Sequence, residues 1–173
     1  RAGTVVFNDG ENGGTVPAIA VSGRYAYVPT GTSPSKLVVV DISNPFAPKR
    51  MGAVTFNSGE NGAEDIVISG HYAYLATNTV PARVVVVDIN NPSAPQRVGG
   101  VTLNSGEDVG FALAVSGRYV YVPTSTTPSK LVAVDVSNPA NPQRVSAVTF
   151  PSGENSATAI TISGRYAYVT VNV

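Results

Sequence analysis

Cysteine and tryptophan are absent from the 173 residues, and methionine and histidine occur once each. Charged side chains make up only 13%, about half of the roughly 25% usual in soluble domains. Without cysteine there is no disulfide framework, no thiolate metal site and no cysteine nucleophile. A single imidazole excludes zinc sites built on two or three histidines. The 11 basic and 11 acidic residues cancel, so the basic excess of a nucleic-acid binder is missing. No apolar run approaches a membrane span or has the form of a signal peptide. An exported protein can lack cysteine, so composition leaves the compartment open.

What the chain does contain is repetition, the first feature to seek because missing it misassigns the whole fold. Ser22-Gly23-Arg24-Tyr25-Ala26-Tyr27-Val28 returns at Ser69, Ser116 and Ser163, 47 residues apart each time, and all 8 tyrosines lie in these four copies. Leu37-Val38-Val39-Val40-Asp41 returns at Val84–Asp88 and Leu131–Asp135, and Asn44-Pro45-Phe46-Ala47-Pro48 at Asn91–Pro95 and Asn138–Pro142. Ala53-Val54-Thr55-Phe56-Asn57-Ser58-Gly59-Glu60-Asn61 returns from Gly100 and Ala147, with a looser copy at Thr4–Asn12.

Each unit reads as four short strands separated by turn residues. In the first unit strand A covers Ala18–Val21, B covers Tyr25–Thr30, C covers Leu37–Ile42 and D covers Arg50–Phe56. The uninterrupted Val84-Val85-Val86-Val87 predicts a strand buried on both faces. Apolar residues show no helical spacing, and the 17 glycines and 13 prolines suit a turn-rich all-β chain. Four antiparallel strands per unit, at a period between those of the WD40 and kelch repeats, predict a β-propeller of four-stranded blades. A β-solenoid is the competitor, but its repeats are usually shorter.

Strand C with its following turn, Leu131-Val132-Ala133-Val134-Asp135-Val136-Ser137-Asn138-Pro139-Ala140-Asn141-Pro142, resembles the LVIVD repeat. Gly117-Arg118-Tyr119-Val120-Tyr121-Val122 is similar to the same family's strand B. The resemblance covers nearly the whole chain. It implies a β-propeller typical of bacterial and archaeal surface or exported proteins, and it carries no agreed catalytic set.

A single propeller domain is therefore expected over 1–173, with blades at 18–56, 65–103 and 112–150 and a partial blade at 159–173 joined by the N-terminal strand 4–8. The fourth copy stops after strand B. A piece of a longer polypeptide, an irregular closure and a strand donated by another chain all account for this, and Arg1 in place of methionine favours the first. An unfilled edge also invites pairing with another β-strand. The expected function is thus a non-catalytic extracellular or cell-surface module for protein binding or self-assembly, with no nucleic-acid partner and no membrane span.

Few residues can carry chemistry. His71 replaces the arginine of the other three copies on a turn, which marks a solvated position. The loops from strand D to the next strand A are the better candidates: Glu11 and Asn12, Glu60 and Asn61, Glu107 and Asp108, Glu154 and Asn155. These residues offer the hard oxygen ligands that Ca²⁺ takes, or acceptors for sugar hydroxyls, so a glycan- or Ca²⁺-binding propeller is the alternative reading. The same sequences are also good turn chemistry, with each glutamate bonded to backbone or to Lys36, Arg83 and Lys130 on the same face. Asp41, Asp88 and Asp135 are expected to cap backbone N–H groups and to pair with the turn arginines and with Arg50, Arg97 and Arg144. That grouping predicts one acidic and one basic face. The tyrosine pairs are expected to pack between blades.

Overall fold

The computed structural model describes residues 2–11 and 18–172. It contains 14 strands and, among the described residues, no helix. The first blade comprises β1 (Ala20–Ser22), β2 (Tyr25–Pro29), β3 (Lys36–Asp41) and β4 (Lys49–Thr55). The second comprises β5 (Ala63–Ser69), β6 (Tyr72–Thr77), β7 (Arg83–Asp88) and β8 (Gln96–Thr102). The third comprises β9 (Ala114–Ser116), β10 (Tyr119–Pro123), β11 (Lys130–Asp135) and β12 (Gln143–Thr149). In each, the strands lie side by side in chain order and antiparallel. The fourth unit has two strands, β13 (Asn155–Ser163) and β14 (Tyr166–Asn172).

The A-to-B turns are tight because Gly23, Gly70, Gly117 and Gly164 adopt φ of 57–59°, a region open to glycine at no steric cost. The core lies between blades rather than within them. Tyr27, Leu37 and Val39 of the first blade meet Ala73, Leu75, Val85 and Val87 of the second. Tyr74, Val84 and Val86 on the opposite face of the second blade meet Val120, Val122, Val132 and Val134 of the third. Val84, Val85, Val86 and Val87 are all fully buried, as their unbroken apolar run requires. Burying each such side chain contributes about 1.5–3 kcal/mol. Tyrosine packing between blades is present in the first two copies, with Tyr27 and Tyr74 buried in these interfaces, whereas Tyr166 and Tyr168 of the fourth copy are exposed.

The N-terminal segment departs from expectation. Residues 4–8 enter no sheet among the described residues, although they alternate between exposed and half-buried. Gly3 N–H donates to the Pro45 carbonyl at 2.9 Å, and Val5 and Phe7 pack on Ala26, Val38 and Val40. Gly3, Gly52 and Gly99 share one reason for being glycine: a Cβ would come within 2.2, 2.6 and 2.1 Å of a carbonyl oxygen in the next Asn-Pro turn. The segment therefore takes the place against the first blade that β4 takes against the second.

Candidate functional site: the glutamate loops and the open edge of the fourth unit

Each D-to-A loop is a turn closed from both sides. Gly10, Gly59 and Gly106 take positive φ, and Glu11, Glu60 and Glu107 each donate a backbone N–H to the carbonyl three residues back at 3.0 Å. In return, the glutamate Oε2 accepts the backbone N–H of Asn8, Asn57 or Asn104 at 2.8–2.9 Å.

The rest of each carboxylate is taken by an arginine of the following strand D. Arg97 donates Nε to Glu60 Oε2 at 2.8 Å and Nη2 to Oε1 at 2.5 Å. Arg144 grips Glu107 in the same bidentate way, at 2.9 and 2.5 Å. Arg50 Nε reaches Glu11 Oε2 at 3.0 Å, and its Nη2 bonds Oε1. The arginine lies along its own strand, since a Cβ on Gly100 would stand 2.7 Å from the Arg97 Nη2. The guanidinium fork matches a carboxylate and makes charge-assisted bonds, which is what a buried carboxylate needs.

The arginine bond, against the opposing effect of burial and aided by the Asn8 N–H, holds the Glu11 carboxyl below its ordinary value. At Glu107 burial is the largest influence and pushes upward. The Arg144 and Asn104 bonds, with the nearby charges of Arg144 and Lys130, outweigh it and hold that carboxyl low.

These clasps correct two expectations. Glu11, Glu60 and Glu107 are only 2–4% exposed and have their oxygens engaged, so they do not present a ligand site for Ca²⁺ or a sugar. Among the described residues no group of three or more His, Asp and Glu side chains is placed to hold a metal ion. The division into an acidic and a basic face also fails, because Arg50, Arg97 and Arg144 bond the loop glutamates instead of Asp41, Asp88 and Asp135. The aspartates do cap backbone N–H groups, of Ser43, Asn90 and Ser137. Asp41 and Asp135 pair with the turn residues Arg24 and Arg118 at 2.5 and 3.3 Å. The Ser43 bonds, followed by that of Arg24, hold Asp41 at a pKa of about 2.

The remaining candidates are dispersed. Asn12 lies outside the described residues. Asn61 is half-buried, and Asp108 Oδ1 and Asn155 Oδ1 are buried without a hydrogen-bond partner. Asp108 lines an open depression of about 460 Å³ with Ser125, Thr126 and Lys130, and no aromatic side chain lines it. Asp65 escaped the sequence reading. It stands where the third and fourth units have Ala112 and Ala159, and burial raises its carboxyl although it accepts N–H bonds from Leu113 and Ile66. Its one signal was that break in the repeat.

Glu154 differs from its three counterparts. Pro151 replaces the asparagine, so no N–H faces the carboxylate, and among the described residues no arginine pairs with it. Its backbone is in place, with Ser129 N–H donating to its carbonyl at 3.0 Å as Ser35 does to Glu60 at 2.9 Å.

Beside it β14 has no strand on its outer side among the described residues. In the first blade, Ile42 N–H donates to Arg24 and Thr30 N–H to Lys36, so Arg24, Ala26, Val28 and Thr30 are the residues whose backbone faces strand C. The same register gives Arg165, Ala167, Val169 and Val171 on the outer edge of β14. Tyr166 and Tyr168 are 62% and 57% exposed, and Val145 and Val148 of β12 are 52% and 55% exposed. Leu131 is half-buried where its counterpart Leu37 is fully buried. Arg165 has no acidic partner among the described residues, unlike Arg24 and Arg118.

None of the curated proteins matches this chain in sequence. Among solved structures it is similar to the computationally designed Ika8 protein, at 13% identity and a TM-score of 0.66, over 91% of this chain and 43% of that one. It thus spans less than half the length of the Ika8 chain. It is also similar to the computationally designed Ika4 protein, at 13% identity and a TM-score of 0.61, over 92% of both chains. At that identity the likeness concerns the fold alone. The LVIVD repeat model matches residues 13–55, 61–102, 111–149 and 155–172, so the chain is a β-propeller protein that belongs to the LVIVD-repeat family.

Proposed function

We propose that this propeller is a non-catalytic binding and self-assembly module whose working surface is the outer edge of β14. The observation that carries this reading is an exposed strand bordered by apolar side chains, in a molecule whose other three units each have four strands. Unpaired N–H and C=O groups along such an edge template the addition of another strand. Absence of catalysis is supported by the chemistry at hand: His71 sits exposed on a turn, and the three buried loop carboxylates are neutralised by arginines. Display at the cell surface is part of the same proposal and rests on family membership.

Native mass spectrometry at roughly 50 μM tests it, a concentration where weak association is populated by mass action. Species above the 17.8 kDa monomer are expected, and Ala167→Pro, which removes an edge donor without touching the bonds to β13, should abolish them. A chain that stays monomeric throughout overturns the proposal.

A further inference from the structure

Two departures from the repeat lie on one depression. His71 stands where the other units have Arg24, Arg118 and Arg165, and Asn90 stands where the first and third have Ser43 and Ser137. Both line a depression of about 380 Å³ where the A-to-B turns of the first and second blades meet, together with Arg24, Tyr25, Tyr27 and Ile89. The short imidazole leaves room that an arginine at this turn would take.

The lining is rich in hydrogen-bonding groups but offers no free charge. Arg24, its one permanently charged side chain, is held by Asp41 at 2.5 Å, with the guanidinium 5.3 Å from the Tyr25 ring centroid. The arginine side chain is otherwise largely exposed, so the N–H groups that Asp41 does not use remain to donate. Asn90 is fixed by its backbone N–H, which donates to Asp88 at 2.8 Å, while the residue itself is exposed. Tyr27 borders the depression although it is only 3% exposed, and its hydroxyl has no hydrogen-bond partner among the described residues. Burial first, and then the neighbouring Tyr25, raise its pKa, so the phenol stays a neutral donor. A nearly buried hydroxyl without a partner calls for one from the space it faces. Ile89, also buried, sets an apolar surface beside these groups.

The geometry points to a binding site for an uncharged saccharide ring between the first and second blades. One face of such a ring is C–H and packs on Ile89 and Tyr25. Its hydroxyls accept from Arg24 and Tyr27 and exchange hydrogen bonds with Asn90 and His71. An apolar wall with a few convergent polar groups is the usual make-up of a ligand cleft, and the volume lies at the small end of the usual range of ~300–1,000 Å³. An anion would find the guanidinium already neutralised. The site belongs to the first two units, so its test does not depend on the β14 edge.

Methyl glycosides of glucose, galactose, mannose, N-acetylglucosamine and fucose are each titrated into the isotope-labelled chain and followed by amide NMR shifts. Concentrations reach about 20 mM, a range suited to weak binding of a single ring. At least one glycoside should shift the amides of His71, Ile89 and Asn90 saturably. His71→Arg, which restores the residue of the other units and so preserves the fold, should abolish those shifts. Tyr27→Phe, which removes one hydroxyl, should weaken binding about fivefold. Benzoate is titrated in parallel as an aromatic anion. No shift with any glycoside, glycoside shifts unchanged by His71→Arg, or saturation by benzoate alone overturns the assignment.

Discussion

A buried glutamate gripped by both nitrogens of one guanidinium is stabilised only while the arginine is present. Removing Arg97 leaves the Glu60 carboxylate buried with one backbone donor, so Arg97→Ala should cost about 3 kcal/mol in urea unfolding. Arg24→Ala, whose side chain is 59% exposed beside Asp41, should cost far less, because solvent screens that pair. Equal effects would contradict the distinction. The same clasps set an acid limit. Unfolded, Glu11 and Glu107 titrate near 4.5, and folding lowers both. Their contribution is complete above the unfolded value and is lost as pH falls through the folded values. The thermal midpoint should therefore drop as pH falls below about 4.5, and a midpoint that rises on such acidification contradicts the account. Backbone conformation gives a residue-scale test of the opposite sign. Val109 takes φ 47° where the preceding repeat has Gly62 at φ 57°, and a β-branched residue is strained there. Val109→Gly should raise stability by about 1 kcal/mol, read as a higher urea midpoint.

At the scale of the element, strands C and B were the most legible, because burial on both faces leaves a sequence mark that solvent-facing strands lack. Leu37–Asp41 and Val84–Asp88 could be placed to within a residue by their apolar runs. Strand A was harder: three residues at β1 and β9 are too few to show a period. The N-terminal segment 4–8 was legible as a strand D by its match to residues 53–57, but not as unpaired, since pairing depends on a neighbour outside its own sequence. The inter-blade location of the core predicts a gradient along β6 and its counterparts. Leu75 is fully buried between two complete blades, so Leu75→Ala should cost about 2–5 kcal/mol. Val169, at the same repeat position in β14, is half-buried, and Val169→Ala should cost under about 1 kcal/mol. Comparable losses from the two would mean that the fourth unit is packed as tightly as the second.

At the scale of the whole molecule, the low and cancelling charge acquires a structural meaning. Arg50, Arg97 and Arg144 and the loop glutamates neutralise one another inside the structure. Sequence spacing placed these partners at opposite ends of a blade and so assigned them to opposite faces. What it lacked was the reach of an arginine laid along its strand. The candidate ligand residues were correctly picked out as a set by the repeat, yet three of the four glutamates serve the fold. Among the described residues the fourth, Glu154 beside Pro151, has no such arginine. That asymmetry makes the edge of β14 the central claim, and hydrogen exchange tests it most directly. The amides of Ala167, Val169 and Val171 should exchange rapidly in dilute solution and slow by at least about tenfold when concentration is raised to roughly 50 μM, while those of β7 stay protected throughout. If the three β14 amides exchange equally fast at both concentrations, strand addition at this edge is contradicted.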